Sequence, residues 1–109
     1  MVKSKKIKKK IIAFDIDGTL INEFNDAPKY WVINLLLWFK KIGWDVVIWS
    51  GGGIDYATTR VRKLGFENLV RILPKWSISV DIAVDDEAEL EKTLYTEKQK
   101  PKAKVIINV

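Results

Sequence analysis

The stretch Ile11 to Leu20 limits what this chain can fold into more than any other. It reads Ile-Ile-Ala-Phe-Asp-Ile-Asp-Gly-Thr-Leu. The apolar start suits a buried central strand. The two carboxylates that close it, Asp15 and Asp17, do not suit a dry interior. Ionised carboxylates lose hydration there unless a cation or donors replace the water. Either the strand ends at a solvent-facing edge, or something positive waits at its end.

Apolar strands alternate with helices along the chain. The first strand covers residues 11–15, after a lysine-rich arm, residues 1–10. A polar turn, 21–27, leads to a helix predicted from about Pro28 to Ile42, with Asp26 as N-cap and Gly43 as the stop. Strand two is Asp45 to Ser50, followed by Gly51-Gly52-Gly53. A second helix runs from about Ile54 or Asp55 to Leu64 and ends at Gly65. Leu69 to Leu73 is strand three, Val80 to Val84 strand four, and Val105 to Val109 strand five. An acidic helix over 87–96 and a lysine-rich linker over 97–104 separate the last two strands. Alternation of this kind predicts an α/β fold: a three-layer sandwich with a mainly parallel five-stranded sheet covered on both faces. With 109 residues, 48% of them apolar, one domain over residues 11–109 is expected.

The first helix is apolar on more than one stripe. Trp31, Leu35, Trp38 and Ile42 share one face, with Val32, Leu36 and Phe39 beside them. A helix apolar on most sides is expected to be buried on most sides, by neighbouring elements or by a second subunit. A homo-oligomer through helix 28–42 therefore stays open.

Composition narrows the chemistry. The chain has no cysteine and no histidine. Disulfides and thiolate metal sites are excluded, and so are the commonest general base and the usual zinc ligand. A metal must be held by oxygen, which points to a hard cation such as Mg²⁺. No apolar run approaches the ~20 residues of a membrane span. The run after the lysine arm is too short for a secretory signal, and the protein is read as cytoplasmic. The net charge of +5 is a property of the arm. Without Lys3, Lys5, Lys6, Lys8, Lys9 and Lys10, the 19 basic residues fall to 13 against 14 acidic ones. Such an arm is either a solvated tail or a contact for a phosphate backbone.

In open parallel sheets, ligands bind beyond the carboxyl ends of the strands. All the polar strand ends then meet at one edge: Asp15 and Asp17, Ser50-Gly51-Gly52, Lys75 after strand three, and Asp85-Asp86 after strand four. Like charges about 4 Å apart repel by on the order of 4 kcal/mol at an effective dielectric of ~20, so protonation or a divalent cation is required. The glycine-rich turn at a helix start offers N–H groups to an anion. A cation site beside an anion site, with a lysine, is equipment for phosphoryl transfer, with a carboxylate able to act as nucleophile.

Asp15-Ile16-Asp17-Gly18-Thr19, the strand ending at Ser50-Gly51, a lysine, and Asp85-Asp86 resemble the four motifs of the haloacid dehalogenase-like superfamily. Its members are mostly Mg²⁺-dependent phosphatases on a Rossmann-like fold, and the resemblance covers residues 11–91. It implies Asp15 as nucleophile and Asp17 as general acid, then base. It implies Ser50 and the Gly51 amide as phosphate holders. The metal would be held by Asp15, the Asp17 carbonyl, and one or both of Asp85 and Asp86, with Asp86 in the place of the aspartate in the family's more common Gly-Asp form. Lys75 and Lys63 compete for the lysine role of neutralising the phosphate. Lys63 lies roughly 13 Å down its helix axis from the catalytic edge, so Lys75 is preferred.

Only about 25 residues separate Gly18 from strand two, which leaves no room for a cap domain. The expectation is a capless Mg²⁺-dependent phosphomonoester hydrolase acting through an aspartyl-phosphate. The substrate would be a phosphorylated small molecule, such as a nucleotide, or a nucleic-acid end. A phosphotransferase with the same intermediate is the alternative, as is a non-enzymatic nucleic-acid-binding module using the arm. Trp76 is read as core in preference to a platform for a base, and Arg60 and Arg62 as solvated.

Overall fold

A computed structural model describes residues 8–86 and 103–109. The expected helix 87–96, most of the linker 97–104 and most of the basic arm lie outside the described residues.

Five strands form one sheet: β1 (Ile11–Phe14), β2 (Asp45–Ile48), β3 (Arg71–Ile72), β4 (Val80–Asp85) and β5 (Ala103–Asn108). Their order is β3-β2-β1-β4-β5, and every pairing is parallel. The chain builds outward from β1 to β3, then crosses back to place β4 on the other side of β1. That reversal is the switch point at which parallel α/β sheets open a crevice.

The central strand explains its own composition. Ile12, Ala13 and Phe14 are all fully buried. Alternate side chains leave on opposite faces. Ile12, Phe14, Val46 and Ile48 pack in one cluster with residues of α1 (Tyr30–Lys41) and α2 (Ile54–Leu64). Ala13, Val47, Trp49 and Ala83 pack in a second cluster with Trp76. Both described helices thus cover the same face. Residues 73–80, led by Trp76, cover the other.

Several boundaries differ from expectation. The first helix begins at Tyr30, not Pro28, and Asp26 does not cap it. Pro28 bridges Ile21, and the Lys29 amide donates to the Leu20 carbonyl at 2.8 Å. These bonds hold the chain extended up to Lys29, so the helix cannot start earlier. Asp26 instead has φ 58° and binds Arg60 at 2.8 Å, so Arg60 is not simply solvated. Arg62 binds Glu67 at 2.8 Å. Strand three shrinks to Arg71–Ile72 because Glu67–Leu69 winds into a 3-10 turn. Asp85 belongs to β4 itself. The C-cap at Gly65 is as expected, left-handed at φ 88°.

Among the described residues, helix α1 is covered on one side only. Val32, Ile33, Leu36 and Phe39 are buried, whereas Trp31 and Trp38 are 59% and 54% exposed. The described residues therefore do not bury the helix on most sides. No helix among the described residues is long and apolar enough to cross a membrane.

Candidate active site

β1 and β4 stay paired to their last residues, since the Asp15 amide donates to the Val84 carbonyl at 3.0 Å. This register sets Asp15 beside Asp85 and Asp86. One carboxylate oxygen from each of the three lies within 4.8 Å of the others. Asp15 and Asp85 are buried. An all-oxygen donor set of this kind suits a hard divalent cation.

Lys75 reaches the same point from the loop after β3. Its Nζ stands 3.2 Å from Asp15 Oδ1 and 3.0 Å from Asp85 Oδ2. The Lys75 side chain is 5% exposed and that of Asp85 1%. An ammonium so buried needs carboxylate partners, and these carboxylates need it. Lys63, the alternative, sits in the last turn of α2, away from the cluster.

The loop that delivers Lys75 is strained. Trp76 has φ 63°, a conformation that a bulky residue rarely adopts. It is held there by packing, with its ring edge-on to Trp49 at 4.9 Å between centroids. Trp76 is thus core, as expected, and its backbone turns the chain next to Lys75.

Gly18 has φ 76°. A Cβ there would overlap Asp86 Oδ2. Glycine therefore serves twice: it permits the turn and lets the Asp86 carboxylate lie against the backbone. The Lys29 ammonium donates to the Gly18 carbonyl at 2.6 Å and fixes this turn from the other side.

Asp17 stands apart from the three-carboxylate cluster. Its Oδ1 accepts a 2.5 Å hydrogen bond from the Tyr56 hydroxyl. Burial, then this bond, pushes the Tyr56 phenol above its ordinary value of 10.0. The phenol therefore stays protonated and is the donor. Arg60 lies over the Tyr56 ring, 5.1 Å from its centroid. A Cβ at Gly52 would stand 2.9 Å from Tyr56 Cδ2, so the ring rests on the glycine turn.

That turn follows β2. Ser50 is buried, and its Oγ accepts the Gly52 amide at 3.0 Å. The hydroxyl hydrogen is left to donate elsewhere. Asp15, Asp17, Ser50, Gly51, Lys75 and Asp86 line one cleft of about 180 Å³, with Asp85 buried beside it. All seven side chains or turns singled out from the sequence thus meet at one sheet edge. Glu23 and Gly52 complete the lining.

Sequence reasoning missed Tyr56, Glu23 and Lys29. Lys29 and Tyr56 act on the site through partners already identified, Gly18 and Asp17. Only the position of Tyr56 in the first turn after the glycines hinted at its place. An adjoining pocket of about 370 Å³, lined by Glu23, Phe24, Lys29 and Asp86 among others, opens beside the cleft.

The chain matches no family model, no curated protein and no solved structure.

Proposed function

We propose that the chain is a Mg²⁺-dependent phosphomonoester hydrolase of the haloacid dehalogenase-like type, working through a phosphorylated Asp15. The observation that carries the reading is the convergence of Asp15, Asp85 and Asp86 with Lys75 in one cleft that also holds the Ser50-Gly51 turn.

The donor set fits the cation, because all three donors are carboxylates and Gly18 leaves room for the third. Asp15, Asp85 and Asp86 would hold it, and a bound Mg²⁺ supplies positive charge to offset that of the phosphoryl oxygens. The remaining work falls to the chain. Ser50 Oγ–H and the Gly51 amide orient the phosphate. Lys75 holds Asp15 Oδ1 at 3.2 Å and adds positive charge beside the transferring group.

An Asp15 oxygen forms a bond to phosphorus as the phosphorus–ester oxygen bond breaks. The leaving oxygen takes the proton of the Asp17 carboxyl. Water then attacks phosphorus and gives a proton back to Asp17, and the bond to Asp15 breaks. Tyr56 occupies Asp17 Oδ1, which leaves Oδ2 for the proton.

The substrate proposed is a nucleotide or a nucleic-acid end. Phe24 supports it: the ring is 90% exposed on the loop that borders the adjoining pocket. The loop is stiffened by Asn22 Oδ1 accepting the Phe24 amide at 2.9 Å and by the Asn22 amide donating to the Ala27 carbonyl at 2.8 Å. An exposed ring on a braced loop beside a phosphate cleft suits stacking on a base.

The test is phosphate release from nucleotides, 3′-phosphorylated oligonucleotides, sugar phosphates and phosphopeptides, with and without Mg²⁺. Asp15→Asn is the control. Mg²⁺-dependent release lost in Asp15→Asn is the expected result. Release no greater than that of the variant on every substrate would overturn the reading.

A further inference from the structure

The sheet has a second polar edge, opposite the carboxylate cluster. β1, β4 and β5 are parallel and start there together. Lys8, Lys9 and Lys10 lead into β1, and Lys104 lies at the start of β5. With Ser79 and Asp81 they line a cleft of about 470 Å³. Lysines from the two ends of the chain are thus brought to one place by the parallel register, although nothing in the sequence pairs them.

Among the described residues the cleft holds four lysines against one carboxylate. That carboxylate is already engaged: Asp81 Oδ2 accepts the Ile11 amide at 2.8 Å, and Oδ1 lies 3.2 Å from Lys104 Nζ. The Lys104 side chain is 80% exposed, so its ammonium retains donors for a second anion. Lys10 is steadied over the Trp44 ring, 5.8 Å from its centroid.

We infer that this cleft binds the sugar-phosphate backbone of a single nucleic-acid strand, with Lys104 and Lys8–Lys10 holding its phosphates from two sides. Lysine ammonium groups are point-charge ligands for phosphate. Among the described residues the lining offers no aromatic face and no exposed large apolar side chain, so the binding is through the backbone and indifferent to sequence. A concave site favours a protruding strand over a bilayer, which is flat on this scale and which a lysine-only surface would meet better if it were flat too. The inference rests on none of the chemistry at Asp15, since the two sites lie at opposite ends of the strands.

The test uses the full chain and a labelled single-stranded oligonucleotide, read by fluorescence anisotropy across a salt series. Binding is expected to weaken with salt. Lys104→Gln is expected to weaken it severalfold and to reduce the slope of log K against log salt by about 0.7, the loss of one single-strand phosphate contact. Lys41→Gln, in the last turn of α1, should leave affinity unchanged. Oligonucleotides with and without a terminal phosphate should bind equally, which separates this site from the proposed hydrolase. Three outcomes would overturn the inference. One is equal effects of Lys104→Gln and Lys41→Gln. Another is loss of binding on deleting residues 1–10 with none for Lys104→Gln, which would leave only a polycationic tail. The third is binding to phosphatidylserine vesicles with none to the oligonucleotide.

Discussion

The Tyr56 hydroxyl donates to Asp17 Oδ1 at 2.5 Å, joining the first turn of α2 to the turn that follows β1. Asp26, Arg60 and Tyr56 form a relay behind this bond, since Arg60 touches both Asp26 and the Tyr56 ring. Asp17 is therefore held by a side chain outside the three-carboxylate cluster.

Tyr56→Phe removes that hold and keeps the ring. Phosphate release is expected to fall about tenfold in kcat with KM little changed, as positioning is lost and binding is not. The same bond has an alkaline signature. The fold favours the neutral phenol, so its contribution to stability is complete below pH 10.0 and is lost as pH rises above that through the higher folded value. Thermal melts above pH 10.0 should therefore fall more steeply for wild type than for Tyr56→Phe.

Lys75→Met removes the ammonium shared by two buried carboxylates, Asp15 and Asp85. Breaking a buried ion pair from one side costs about 3–5 kcal/mol. Urea denaturation should show a loss of that size in the absence of metal, and millimolar Mg²⁺ should restore part of it. A loss below about 1 kcal/mol would mean that the pair is solvated.

Gly18→Ala introduces a Cβ where Asp86 Oδ2 now lies and places alanine at φ 76°. The backbone alone costs about 1–2 kcal/mol. The displaced carboxylate should also weaken the cation site. Calorimetric titration with Mg²⁺ is expected to show at least a tenfold rise in Kd, against no change for the conformationally similar Gly43→Ala, whose Cβ meets nothing within 4 Å.

A cation that binds only the folded chain stabilises it by mass action, by about 2.7 kcal/mol at one hundred times Kd. Mg²⁺ should therefore raise the melting temperature of wild type. Asp86→Asn should abolish most of that rise while the uncomplexed protein still folds. An equal rise in both proteins would move the ion away from this cluster.

Asp81 gives an acid signature at the other edge of the sheet. The Ile11 amide, and after it Lys104, hold its carboxyl below the ordinary 3.8. The stabilisation is present above pH 3.8 and is lost as pH falls through the lower folded value. Asp81→Asn keeps an acceptor for the Ile11 amide and removes the titration. Its stability should fall less than that of wild type between pH 4 and pH 2, read by circular dichroism.

What was legible in the sequence was what depends on strand order and apolar runs. Ile11 to Phe14 announced a buried central strand, and the parallel reading carried Asp15, Ser50, Lys75 and Asp85 to one edge without further information. The preference for Lys75 over Lys63 rests on helix direction and on the place of Lys75 in the loop after strand three. The failures share a physical cause, which is that tertiary bonds displaced local preferences. Asp26 has the right side chain for an N-cap, but the Ile21–Pro28 bridge postponed the helix and Arg60 took the carboxylate. Tyr56 carries no local signal for Asp17, because their contact spans 39 residues. Lys104 likewise reads as a linker charge until β5 is paired with β4.

The position of β1 between β2 and β4 also bears on the order in which the molecule assembles. The contact between Ile11 and Asp81 spans 70 residues, and pairing over such a separation is slow. During synthesis, β1, β2 and β3 can associate before β4 exists. That early half carries Asp15, Asp17 and Ser50 but neither Asp85 nor Asp86, so the crowding of carboxylates is postponed to the docking of the fourth strand. Lys75 lies in the segment that leads directly into β4, and it arrives with the charges it must neutralise.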